Sequence, residues 1–121
     1  MKKILFVEDE RALQKTFKEI LSKEGYEVIS AFDGKTGLEL AKAESPDLIL
    51  LDLILPKLDG FEVLKRLKEN EKTKEIPVIV LTNLERLEDV EKAIELGAKT
   101  YLVKAQYTLE EVVEKIKNVL K

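Results

Sequence analysis

Five times along this chain of 121 residues a short apolar run is followed by a segment with helical spacing. The runs are Ile4–Val7, Tyr26–Phe32, Leu48–Leu51, Val78–Leu81 and Tyr101–Val103. Such alternation builds a parallel sheet with helices on both faces, because a parallel strand needs a long crossover and the crossover helix covers the sheet. Leu13, Phe17, Ile20 and Leu21 form a first helical stripe that stops at Gly25, and Leu109, Val112, Val113, Ile116, Val119 and Leu120 form the last. Thr108 with Glu111 reads as a capping box opening that last helix. The spacing predicts further helices over about residues 35–43, 60–69 and 84–96. The expected fold is an α/β doubly wound sandwich of five strand–helix units, with a five-stranded parallel sheet in the order 2-1-3-4-5.

In an open doubly wound sheet, ligands bind beyond the carboxyl ends of the strands. Those ends are polar where the strands before them are apolar. Glu8-Asp9-Glu10 follows the first run, Asp52 ends the third, Thr82-Asn83 the fourth and Lys104 the fifth. The second run, at the sheet edge in this order, ends in Asp33-Gly34, which reads as a turn. Asp52 is the most telling, since a carboxylate carried to the mouth of a buried segment costs several kcal/mol unless a cation pairs with it.

Three converging carboxylates repel one another, and a hard divalent ion such as Mg2+ relieves that, taking oxygen ligands while keeping some of its waters. Asp9 and Asp52 are then the direct ligands, with Glu8 acting through water or at longer reach. An ion on one Asp52 oxygen leaves the other free to attack, and it neutralises charge on an incoming phosphoryl group. Lys104 supplies a second positive charge and Thr82 a hydroxyl donor. That constellation suits phosphoryl transfer to an aspartate.

The chain holds neither Cys nor His, so thiol chemistry, zinc–thiolate sites and imidazole bases are excluded. Charged residues make up 37% of the chain, with 21 Lys+Arg against 24 Asp+Glu, and a net charge of −3 argues against nucleic-acid binding. No apolar run is long enough to span a bilayer and Met1-Lys2-Lys3 precedes only a short one, so membrane association is not expected and a cytoplasmic location is.

The whole chain resembles the receiver domain of bacterial two-component response regulators, which share the flavodoxin-like strand order. "FVEDE" resembles the family's acidic pocket, "DLILPKLDG" its phosphoacceptor loop, "VIVLTN" the strand ending in a switch threonine, and "GAKTYLVK" the strand carrying a switch aromatic and the site lysine. The resemblance implies a single receiver domain over residues 1–121, phosphorylated on Asp52 by a sensor histidine kinase or a histidine phosphotransfer protein. It implies Mg2+ held by Glu8, Asp9, Asp52 and the backbone carbonyl of Ile54. It also implies that Thr82 and Tyr101 move together on phosphorylation, reshaping an output face for a downstream protein or effector domain. Such a domain assists its own phosphorylation and dephosphorylation without being an enzyme that turns over a substrate.

The chain departs from the family in three places. Members usually carry proline after the site lysine, joined by a cis bond, whereas Ala105 follows Lys104 here; a cis bond before a non-proline residue costs about 2.5–4 kcal/mol, so a trans peptide is expected. Lys99-Thr100 replaces an acidic pair before the aromatic, and the last helix has no Arg, which argues against charged pairing between receivers. Ile54 and Leu84, two residues after Asp52 and Thr82, offer no polar group to orient a hydrolytic water, so a long-lived phosphorylated state is expected. Two other functions share parts of the pattern. A phosphatase of the haloacid dehalogenase type needs a second Asp where Ile54 stands. A phosphorylation-independent binding module would not need the complete set of site residues.

Overall fold

The structure is a computed structural model that describes all residues from Met1 to Lys121. Strands β1 (Lys3–Val7), β2 (Glu27–Ala31), β3 (Leu48–Leu51), β4 (Val78–Thr82) and β5 (Thr100–Val103) alternate with helices α1 (Arg11–Lys23), α2 (Gly34–Glu44), α3 (Gly60–Glu69), α4 (Leu87–Glu95) and α5 (Leu109–Leu120). All four strand pairings are parallel, as the alternation predicts, and the sheet order is β2-β1-β3-β4-β5, the order the resemblance implies. No helix is long and apolar enough to cross a membrane.

β3 and β4 are buried along their whole length, so they read as continuous apolar runs, and the two faces of the sheet each carry a separate core. Leu5, Val7, Ile49, Leu51, Val78 and Val80 pack against Leu38 and Ala41 of α2, Val63, Leu64 and Leu67 of α3 and Ala93 of α4. Ile4, Phe6, Leu48, Leu50, Ile79, Leu81 and Leu102 pack instead against Phe17 and Leu21 of α1 and Val112, Val113 and Ile116 of α5. Phe6 meets Phe17 edge-on, with ring centroids 5.2 Å apart, an arrangement favoured by the ring quadrupoles.

This division by period two fixes where the polar residues emerge. Glu8, Asp52 and Lys104 each stand two residues beyond Phe6, Leu50 and Leu102, and so continue the α1/α5 face. Thr82 and Tyr101 belong with the opposite layer, Thr82 two residues after Val80 and Tyr101 packed against that core directly.

The element boundaries differ from the expected ones where backbone groups are spent elsewhere. α4 begins at Leu87, not at 84, because residues 83–86 run outside the helix and the Leu84 carbonyl accepts the Tyr101 hydroxyl at 2.7 Å. β2 is shorter than Tyr26–Phe32: the Tyr26 N–H donates to Leu21 O, closing α1 after Gly25 at φ +93. Asp33-Gly34 is the start of a helix and not a free turn, since Asp33 caps α2 by accepting from Thr36 N at 2.7 Å. The expected capping box of Thr108 and Glu111 is present.

Gly34 and Gly60 bring α2 and α3 against the loop that follows β3. A methyl group on Gly34 would collide with the backbone carbonyl of Leu58, and one on Gly60 with Asp52 O and Leu53 Cα. Gly34→Ala must therefore displace backbone, and we expect a loss of about 1–3 kcal/mol of unfolding free energy by urea titration. An unchanged midpoint would show that the loop yields freely.

Candidate functional site

The acidic pocket is assembled from the ends of three strands, β1, β3 and β5. Glu8 and Asp52 emerge from β1 and β3, whose register pairs Val7 with Leu51, so the two carboxylates follow adjacent positions. The Asp52 N–H donates to Val7 O at 3.0 Å, which continues the ladder to the site. Lys104 leaves β5 and reaches across: its Nζ donates to Asp52 Oδ2 at 3.0 Å and lies 2.6 Å from Glu8 Oε1. Glu8 and Asp52 are 1% and 4% exposed, so both charges are buried and the one ammonium serves them both. Lys104 reaches the pocket through a trans peptide to Ala105, as expected from the missing proline.

The remaining oxygens show how the pocket is held. Glu8 Oε2 accepts from the Glu10 N–H at 3.0 Å, and Asp52 Oδ1 accepts from the Ile54 N–H at 3.2 Å. Carboxylate oxygens of Glu8, Asp9 and Asp52 lie within 4.8 Å of one another, with Asp9 exposed. Beyond its ion pair with Lys104, buried Glu8 Oε1 has no hydrogen-bond partner. An all-oxygen donor set whose negative charge exceeds what the one ammonium balances fits a hard divalent cation. Of the three, Asp9 is exposed, while Glu8 and Asp52 are buried.

The electrostatics follow from burial. Burial pushes the Glu8 carboxyl up to about 6; the Lys104 ammonium and the Glu10 N–H pull it down, and the Asp52 charge pushes it further up. Burial alone would depress Lys104, but contact with Glu8 and Asp52 raises it, so the ammonium stays charged.

Thr82 and Tyr101 stand on the other face of the sheet end. Thr82 is fully buried, with its Oγ1 3.5 Å from the Leu84 N–H, and the Tyr101 hydroxyl donates to Leu84 O. Burial, then the charges of Asp89 and Asp52, push the Tyr101 phenol up to about 12, so it remains a donor. Both residues thus engage the same loop residue, Leu84.

The acidic pocket is a cavity of about 260 Å3 that also takes Glu10, Ile54 and Asn83 into its walls. Ile54 sits at its mouth with a side chain 55% exposed. The tether of the pocket was not legible as a functional residue: Gln14, buried on α1, donates through Nε2 to Phe6 O, Glu8 O and Ala31 O at 2.9–3.0 Å. The signal for it was present, a lone amide beside the apolar stripe of the first helix.

Fold and site together define a flavodoxin-like α/β domain whose strand ends form an acidic pocket with one lysine. Residues 4–117 match the family model of the response regulator receiver domain. The DNA-binding dual master transcriptional regulator RpaA of Synechocystis is 40% identical over 121 residues, 100% of this chain and 50% of that one. Sporulation initiation phosphotransferase F of Bacillus subtilis is 36% identical over 118 residues, 98% of this chain and 93% of that one. A CheY-like receiver domain from Methanospirillum hungatei superposes with a TM-score of 0.90 at 32% identity, over 98% of this chain and 92% of that one. The chain belongs to the response regulator receiver family and is a receiver domain of two-component signalling. It spans about half the length of the first curated relatives, 50%, 48% and 49%.

The raised Glu8 carboxyl sets a pH dependence. Between pH 4.5 and about 6 the folded state holds a proton that the unfolded state has lost, so stability falls as pH rises through that window. Above it the ionised Glu8 costs about 2 kcal/mol. In the absence of metal, Glu8→Gln should gain about that much on wild type between the acid and alkaline ends of the window, measured by urea unfolding. A constant difference across it would remove the assignment.

Proposed function

We propose that Asp52 accepts a phosphoryl group in a Mg2+-dependent reaction and that the domain passes the signal on through Thr82 and Tyr101. The observation that carries this reading is the Lys104 ammonium seated between two buried carboxylates beside an exposed third. Mg2+ would be held by Asp9, Asp52 and the Ile54 carbonyl, with Glu8 behind them, and would supply Lewis-acid neutralisation of the phosphoryl oxygens when bound. Asp52 is the nucleophile, and Lys104 balances the negative charge that the phosphoryl group brings. The Thr82 hydroxyl is the donor for a phosphoryl oxygen. Turning toward that oxygen would alter its contact with Leu84, whose carbonyl also holds Tyr101, and the two side chains would then change together.

The same reading makes residues 1–121 one receiver domain, cytoplasmic, acting as a signalling module and not as a turnover enzyme. Its phosphoryl donor would be a sensor histidine kinase or a histidine phosphotransfer protein, and its output a downstream protein or effector domain. A largely apolar cavity of about 300 Å3 between α1 and α5 supports protein docking near the site. Its walls include Leu13, Phe17 and Tyr107, and it shares Glu10, Asn83 and Lys104 with the acidic pocket. A donor protein seated there would stand next to Asp52.

Intact mass after incubation with acetyl phosphate and Mg2+ tests the phosphoacceptor role. One added phosphoryl group is expected on wild type with metal, and none on Asp52→Asn or in the presence of a chelator. Equal labelling of the Asp52→Asn variant would overturn it.

The apolar Ile54 at the pocket mouth bears on how long the phosphorylated state lasts. Ile54→Asn places an amide where it can orient water, and should shorten the phosphoaspartate lifetime about tenfold, a modest share of what positioned polar groups contribute. The decay of the added mass with time measures it, and an unchanged decay would rule out the rationale.

A further inference from the structure

Gln14 is 3% exposed in the first turn of α1, and its side-chain nitrogen sits where β1 and β2 end. Nε2 donates to Phe6 O at 2.9 Å, to Glu8 O at 3.0 Å and to Ala31 O at 2.9 Å. The backbone N–H of the same residue donates to Glu10 O at 3.1 Å. Gln14 therefore holds the carbonyls on either side of Asp9, Glu8 O with its side chain and Glu10 O with its main chain. The Glu8 side chain closes the turn from inside, its Oε2 accepting from the Glu10 N–H at 3.0 Å.

Asp9 is exposed and its carboxylate has no ion-pair partner, so the backbone, more than any side-chain contact, sets where its oxygens stand. Fixing Glu8 O fixes the plane of the peptide that leads into Asp9, because the atoms of a peptide unit are coplanar. Glu10, the N-cap of α1, makes no side-chain cap bond, so the tie between the helix start and the strand ends falls to Gln14.

We propose that Gln14 is a positioning residue for the acidic pocket: by holding the Asp9 turn, it raises the affinity for a divalent ion and adds to the preference for Mg2+ over Ca2+. This rests on the reading of Glu8, Asp9 and Asp52 as a Mg2+ site. Mg2+ demands near-octahedral geometry at short oxygen distances, whereas Ca2+ accepts larger and less regular ligand sets. A turn released from Gln14 therefore costs Mg2+ more than Ca2+. Groups that orient the direct ligands carry about 10–100-fold in metal affinity. By linkage, a bound ion stabilises the tether by the same factor that the tether adds to the ion's affinity.

Backbone amide spectra of the full chain, titrated with MgCl2 and separately with CaCl2, give dissociation constants for wild type, Gln14→Met and Thr73→Val. Because Gln14 Oε1 has no partner, Met in its place removes only the donor bonds. Thr73→Val is the control. It removes a comparably buried side-chain bond, Oγ1 to Leu67 O at 2.7 Å, in the turn between α3 and β4. Gln14→Met should weaken Mg2+ binding about tenfold or more and Ca2+ binding by less, while Thr73→Val leaves both unchanged. Unchanged Mg2+ affinity in Gln14→Met, equal loss of the two ions, or the same loss in Thr73→Val would each overturn the inference and leave the metal site standing. Failure of the wild type to bind Mg2+ would overturn both. Should Gln14→Met not fold, hydrogen exchange of the Gln14 side-chain amide in wild type decides. Saturating Mg2+ should slow it about tenfold, and an unchanged rate would overturn the positioning role.

Discussion

The ammonium of Lys104 is what allows a carboxylate to stand at the end of β3. Asp52 follows four residues with no exposed surface, and Glu8 follows four more on the neighbouring strand. Removing water from two like charges would favour protonation or local opening of the strand ends. Lys104, 3.0 Å from one and 2.6 Å from the other, offsets part of that cost and draws β5 into the same electrostatic unit as β1 and β3. The compensation is incomplete, since burial still holds Glu8 near 6. That shortfall leaves the pocket with a surplus of negative charge that a cation would offset.

The charged pocket and the Thr82–Tyr101 pair occupy opposite faces of the sheet end, and the period of two along each strand is the reason. Glu8, Asp52 and Lys104 extend the layer covered by α1 and α5, while Thr82 and Tyr101 extend the layer covered by α2, α3 and α4. The link between the faces is short. Leu84 gives its carbonyl to Tyr101 and its N–H approaches Thr82, so one loop residue reads both side chains. α4 begins at Leu87, and its N-cap, Arg86, makes no side-chain hydrogen bond to the backbone. The helix start is instead held by Arg86 Nε donating to Asp89 Oδ2 at 3.1 Å and by Arg86 O accepting from Asp89 N and Val90 N.

The strand runs, their order and the polar residues at their ends were legible because each buried strand is an uninterrupted apolar run that stops at a polar residue. Asp52 was conspicuous for the same reason. The helix over residues 84–96 was read too long, because the spacing of Leu84, Leu87 and Val90 looks helical while the Leu84 carbonyl is spent on a tyrosine 17 residues away. Local periodicity carries no trace of such a partner. Gln14 escaped for a related reason: an amide on a helix reads as solvated, and only the fold brings Phe6, Glu8 and Ala31 to it. Asp33 was legible as polar punctuation but not as a cap, since capping depends on the backbone geometry of the residue.

The turn between α3 and β4, pinned by Lys68 donating to the carbonyls of Lys74 and Ile76, lies at the amino ends of the strands, opposite the pocket. It separates the chain into a part that carries every carboxylate of the pocket and a part that carries Thr82, Tyr101 and the lysine. Neither part contains a balanced site. A chain emerging from the ribosome therefore holds Glu8, Asp9 and Asp52 without their counter-ion until β5 has been made and laid against β4. The pocket becomes electrostatically complete only once Lys104 has been made, and a half-made receiver cannot present it.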